Sequence, residues 1–174
     1  MKASRPECPL ICPNGLDIEA LRHAGVGIMS LATPCAMMVA QGLVARDHRF
    51  EPRGNGERWF AFEQADAGDI VFWHLPTGKI TTWSGRAFAL GEEVINNPGT
   101  YSFDCALNIF AGPVDWLRAK RDGIVVLDWD RAFDRLRDAP RIALAESLVP
   151  KYERYMRPAH MPKLFVISNR RRAA

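Results

Sequence analysis

Cysteine is scarce: Cys8, Cys12, Cys35 and Cys105 are the four in 174 residues, and their spacing is irregular. That excludes the disulfide framework of a small secreted domain and points to a reducing, cytoplasmic compartment. Close sets of metal ligands are equally few. Cys8 and Cys12, flanked by prolines, resemble half of a structural zinc site, but such a site needs four ligands and the histidines (His23, His48, His74 and His160) are scattered. No Ser/His/Asp or Cys/His arrangement can be assembled from spacing, and His74, inside an apolar run, reads as a packed residue before a base. Long apolar runs are missing too. The uncharged stretch 24–45 is long enough for a membrane span, but Pro34, three glycines, Ser30, Thr33 and Gln41 interrupt it, so it reads as buried helix and turn, with no membrane partner. It also starts too far in for a signal peptide.

What is present is an ordinary globular composition, 48% hydrophobic and 25% charged, in a length that suits one domain or two small lobes sharing a core. The net charge of +3 is unevenly spread. Residues 1–112 hold 9 Lys/Arg against 12 Asp/Glu, net −3, and residues 113–174 hold 14 against 8, net +6. The C-terminal part therefore suits a polyanion such as nucleic acid, or else presents a solvated helix face.

The expected class is α/β, α+β overall: N-terminal helices and an antiparallel β-meander, then a parallel βαβαβ unit. After an irregular lead-in (1–16), Asp17 suits the N-cap of a helix to His23, and Thr33-Pro34 suits the start of a second helix reaching Gly42. Residues 46–58 form a charged loop punctuated by Pro52, Gly54 and Gly56. Short β-rich runs at 59–62, 69–75 and 79–83, separated by glycine-containing turns, predict the meander. The second half reads as a strand at 107–110, a helix from Pro113 stopping at Gly123, and a strand at 124–127. Helices are expected at 131–137 and 141–156, then a third strand at 164–167. The crossover lengths predict parallel pairing. Arg170, Arg171 and Arg172 end in a frayed basic tail, 169–174.

Candidate chemistry is sparse. Asp128 and Asp130 sit at the C-terminal end of an expected parallel strand, the edge where α/β sheets place ligands, and two carboxylates there suit Mg²⁺; equally, Asp130 caps the next helix while Asp128 is a turn residue. Gly112 before Pro113 offers a helix N-terminus to a phosphate, although proline lacks an N–H. Trp59, Phe60, Phe62, Phe72, Trp73 and Trp83 crowd one small sheet. They pack as core, or an exposed subset stacks single-stranded bases beside Arg46, Arg49, Arg53 and Arg58.

The order of these pieces resembles the primase and Toprim proteins of plasmids and phages. TPCAMMVAQGL (33–43) is similar to the "TPA…YL…RGL" helix that opens the primase-type lobe. The runs at 59–62 and 76–78, SGRAF (84–88) and NPGTY (97–101) are similar to a sheet ending in "GGR" and continuing through "NSPET". LNIFAGPVDWL (107–117) is similar to the Toprim opening "L-I-V-E-G-x-x-D-x-L". This covers about residues 33–130 and implies a primase-like lobe at 17–103 and a Toprim-like lobe at 104–168. The family's catalytic Glu falls at Ala111, and its D-x-D belongs after a later strand, whereas Asp128 and Asp130 follow the second. The resemblance thus implies a catalytically degenerate relative, since two-carboxylate metal catalysis without that Glu would be impaired.

Three functions follow as expectations. The first is a nucleic-acid-associated accessory protein in mobile-element replication or transfer, binding single-stranded DNA in particular through Arg118, Lys120, Arg121, Arg131, Arg135, Lys151 and Arg154. A second is a residual Mg²⁺-dependent phosphoryl-transfer enzyme using Asp115, Asp128 and Asp130. A third is a protein-binding inhibitor or immunity-type module whose interface is the aromatic sheet.

Overall fold

The computed structural model describes residues 8–27 and 37–157. Helix α1 (Gly15–His23) opens on a capping box: the Asn14 side chain accepts the Asp17 N–H at 3.0 Å, and the Asp17 carboxylate accepts the Asn14 N–H at 2.8 Å. The N-cap is therefore Asn14, and Asp17 occupies the third helical position. From there Asp17 also takes a bidentate contact from Arg58, at 2.9 and 2.5 Å, which ties the helix to the first sheet.

That sheet is antiparallel and has strand order β2-β1-β3-β4-β5, with β1 Met38–Val44, β2 Phe50–Pro52, β3 Glu57–Gln64, β4 Asp69–His74 and β5 Lys79–Thr82. The meander is as expected. The helix expected to reach Gly42 is corrected to strand β1, while its start at Thr33-Pro34 lies outside the described residues. The physical reason is burial on two sides: Val39 and Ala40 are both buried, on opposite faces, and the backbone pairs with β2 on one flank and β3 on the other. An uncharged run satisfies a central strand as well as a buried helix, and the pairing decides. The charged loop is likewise shorter than expected, because β2 and the start of β3 lie within 46–58.

The sheet curls strongly. Phe50 on β2 stacks on Phe72 of β4, with centroids 3.8 Å apart, although two strands separate them in the sheet. The edges meet where Arg49 bridges Thr82 and the Thr81 hydroxyl donates to the His48 carbonyl at 2.6 Å. Inside the curl lie Ala40, Phe50, Trp59, Ala61 and Phe72. The opposite face carries Val39, Phe60, Phe62, Val71 and Trp73 against Leu21 and Val26 near α1 and Leu90, Trp116, Leu117 and Val125 from the second half.

The second half is a small mixed sheet. β6 (Ala89–Leu90) pairs antiparallel with β8 (Val125–Val126), Ile124 bridges in parallel to Ile109 of β7 (Leu107–Ile109), and β7 pairs in parallel with β9 (Ile142–Leu144). The strand-helix-strand unit is thus present, with α2 (Pro113–Arg118) crossing from β7 to β8. Two details are corrected. Helix α2 ends at Arg118, and the left-handed residues Lys120 and Arg121 lead to Gly123. The expected helix from Arg141 begins only as α4 (Val149–Tyr155), because Ile142–Leu144 takes the parallel place beside β7; the strand expected at 164–167 and the basic tail lie outside the described residues. Helix α3 (Ala132–Leu136) falls where expected and covers the far face, with Phe88, Ile95, Leu107, Ile109, Ile124, Val126 and Trp129. The class is α+β. No helix among the described residues is long and apolar enough to cross a membrane.

Buried polar side chains fix the joint between the sheets. The Asp69 carboxylate accepts four backbone N–H groups, from Ile70, Ser84, Arg86 and Ala87, at 2.7–2.9 Å. Glu92 accepts those of Phe88 and Ala89, and Gln64 accepts that of Gly91 at 2.9 Å. Gly91 has φ +78, and an added Cβ would stand 2.8 Å from the Gly123 carbonyl oxygen, so the turn requires glycine.

Candidate functional site

The carboxylates expected to hold a metal are placed as structural residues. Asp128 caps the short 3-10 turn Trp129–Arg131, its side chain accepting the Asp130 N–H at 3.2 Å, and Asp130 is exposed. Asp115 pairs with Arg118 at 3.1 Å. Asp115 lines a mostly apolar cavity of about 400 Å³ with Ala111 and Leu144, at the C-terminal edge of β7 and β9, whereas Asp128 lines a different one. No group of three or more His, Cys, Asp or Glu that could hold a metal ion occurs among the described residues. Cys8 and Cys12 gain no further ligand among the described residues; burial pushes the Cys8 thiol up to about 11, which keeps it protonated.

Most of the expected nucleic-acid-binding cations are engaged within the chain. Arg118 donates to the carbonyls of Ala24 and Gly25 at 2.7 and 3.3 Å. The Arg121 guanidinium lies 5.8 Å from the Phe62 ring and 5.6 Å from Trp116, folded back on the core. Arg135, Lys151 and Arg154 lie over Phe88, Trp129 and Tyr155 at 6.0, 5.1 and 5.3 Å. Arg135, Lys151 and Arg154 are exposed, and such contacts, worth roughly 0.5–1 kcal/mol each at exposed sites, leave their charges in solvent. Lys120 is exposed, and Arg131 donates to the Arg86 carbonyl at 3.0 Å.

The aromatic sheet is core. Trp59, Phe60, Phe62, Phe72 and Trp73 are all buried, and Trp83 is half-buried. Burying each ring stabilises by about 2–3 kcal/mol, comparable with the roughly 1–3 kcal/mol of stacking one base, so turning them outward for nucleic acid gains nothing. His74 is buried as a packed residue, its ring 4.9 Å from Trp59 and its Nδ1 2.8 Å from the Thr77 hydroxyl.

What residue-by-residue reading of the sequence missed is a cleft between the two sheets, about 320 Å³, of mixed lining: His48, Thr81, Thr82 and Asp128 beside Ile80 and Val126. Three arginines converge on its turn, 84–86. Arg49 enters from the β1–β2 hairpin, and its guanidinium lies 3.6–4.0 Å from where a Cβ on Gly85 would stand. Arg86 belongs to the turn and donates to Ser84 and to the Gly68 carbonyl at 3.0 and 2.6 Å. Arg131 comes from the second half. The hydrogen bonds of Arg86 and Arg131 use part of each five-donor fork, and Arg49 Nε lies 3.8 Å from the Asp47 carboxylate. The signal in the sequence was the Ser84-Gly85-Arg86 turn, and Asp69, which builds it, lies 15–18 residues away. Compared with protein-family models, curated proteins and solved structures, the chain matches none.

Proposed function

We propose that this protein is a cytoplasmic, nucleic-acid-associated accessory protein of a mobile element, built on a degenerate primase-like and Toprim-like scaffold, that holds single-stranded DNA without acting on it chemically. The observation that carries this reading is the convergence of Arg49, Arg86 and Arg131 on the 84–86 turn beside a cleft between the sheets. Planar guanidinium forks match phosphate oxygens in pairs, and three of them on one turn give a backbone-binding point without a base code. Ala111 supports the absence of phosphoryl transfer. It stands at the open end of β7, where the resemblance requires a carboxylate, and the acidic residue that lines that cavity, Asp115, is paired with Arg118.

The test is fluorescence anisotropy with labelled oligothymidylate across a salt series. Log affinity should fall linearly with log salt, and the double variant Arg49→Ala, Arg86→Ala should weaken binding about tenfold or more and flatten the slope by about 0.7 for each phosphate no longer neutralised. Absence of binding at low salt, or a double variant with unchanged affinity and slope, overturns the reading.

A further inference from the structure

The cleft between the sheets differs in character from the turn beside it. Arg49, Arg86 and Arg131 stand around the 84–86 turn, whereas no lysine or arginine is among the described residues that line the cleft. Part of the lining is apolar. Ile80 of β5 and Leu127, just past β8, pack on the main core yet are only half-buried, so both leave aliphatic surface open to a ligand, with Ala87 and Val126 buried beside them. The polar lining is short of donors. The Thr81 hydroxyl has already given its proton to the His48 carbonyl at 2.6 Å, and the Thr82 hydroxyl accepts the Gly85 N–H at 3.0 Å. Asp128 brings a half-buried carboxylate. Among the described residues that carboxylate has no ion pair, and Oδ1 alone takes a hydrogen bond, from the Asp130 N–H at 3.2 Å.

This lining repels a phosphate, which the arginines of the turn attract, and suits a flat uncharged ring with an N–H donor on its edge. The volume, about 320 Å³, is at the low end of the roughly 300–1,000 Å³ of small-molecule sites, which gives room for one unstacked base and its sugar. We propose that the cleft takes one base of the bound strand, and that Asp128 selects a base carrying an exocyclic amino group, cytosine over thymine or uracil. The proposal rests on the reading of the protein as a single-stranded DNA binder and adds a base preference to it. Cytosine presents its N4 amino group at the edge where thymine presents the O4 oxygen. An ionised carboxylate only accepts, so it bonds the first and opposes the second. Unstacked bases of a single strand are read on this edge, while the arginines hold the backbone without regard to sequence.

The experiment titrates the full chain, by fluorescence anisotropy at a single salt concentration, with labelled oligodeoxycytidylate, oligodeoxyuridylate and oligothymidylate of equal length. The first two differ only at the edge in question. The wild type should bind the cytidylate about tenfold more tightly than the uridylate, the scale of a hydrogen bond to a charged group. Asp128→Asn should bring the two affinities together, because an amide offers the base either an acceptor or a donor. Asparagine caps as well as aspartate, so the thermal midpoint of this variant should stay at the wild-type value. Equal wild-type affinities for cytidylate and uridylate, or a preference that survives in Asp128→Asn, would overturn the base site; oligothymidylate binding that persists then leaves the arginine reading standing. Absence of binding to all three removes that reading and the base site together.

Discussion

Asp69 shows how much of this structure rests on single buried polar groups. Burial alone would raise its pKa, but the four backbone N–H groups it accepts outweigh that, and the carboxyl is held below its ordinary value. Asp17 is lowered too, chiefly by its hydrogen bonds from Arg58, against a smaller opposing effect of burial. A carboxylate with a lowered folded pKa stabilises fully above the unfolded value, about 3.9, and the contribution is lost as pH falls through the folded value. Stability should therefore decline below about pH 4. Replacing Asp69 with Ala strands several buried donors, each hydrogen bond to a charged group being worth about 1.5–3 kcal/mol. The expected result is a loss of about 3 kcal/mol or more in urea unfolding at neutral pH, with a shallower decline in acid than the wild type shows.

Among the elements, β1 is the most instructive. Gly42 on it is packed so closely that an added Cβ would stand 2.4 Å from the Glu51 carbonyl oxygen and 2.4 Å from the Phe50 ring, and the backbone of Gly56 crosses it directly. The Gly42 carbonyl also accepts the Trp59 indole N–H at 3.2 Å. Gly42→Ala should overpack this crossing, costing roughly 1–3 kcal/mol and lowering the melting temperature measured by circular dichroism.

The same strand marks where sequence reading stops. Runs such as 69–74 and 124–126 announce themselves by β-branched and aromatic residues, and the meander and the strand-helix-strand unit were legible from them. Met38–Val44 carries no charge to reveal a face, and Ile142–Leu144 lies among Ala, Leu and Glu residues of good helix propensity, so both strands are decided by distant partners. The cleft was illegible for a related reason. Arg49, Arg86 and Arg131 lie 82 positions apart at the extremes, and only the curl of one sheet and the docking of the other bring them to one turn.

Charge is a property of the whole molecule here. Residues 113–157 hold 10 Lys/Arg against 8 Asp/Glu, net +2, so four of the six excess positive charges of 113–174 come from Lys163, Arg170, Arg171 and Arg172. If single-stranded DNA is the partner, replacing Arg170, Arg171 and Arg172 with Ala should flatten the slope of log affinity against log salt by up to about 2, at roughly 0.7 for each phosphate. The cleft would keep its own arginines, so the triple variant and the Arg49, Arg86 pair should act additively in the same titration.

The polar joint at 84–92 also bears on how such a protein could have arisen. Gln64 and Asp69 belong to the first sheet, yet the N–H groups they bind belong to the connection leading into the second. A gene exchange with its breakpoint between Asp69 and Ser84 would separate both buried acceptors from their donors and leave unmet polar groups in the interior.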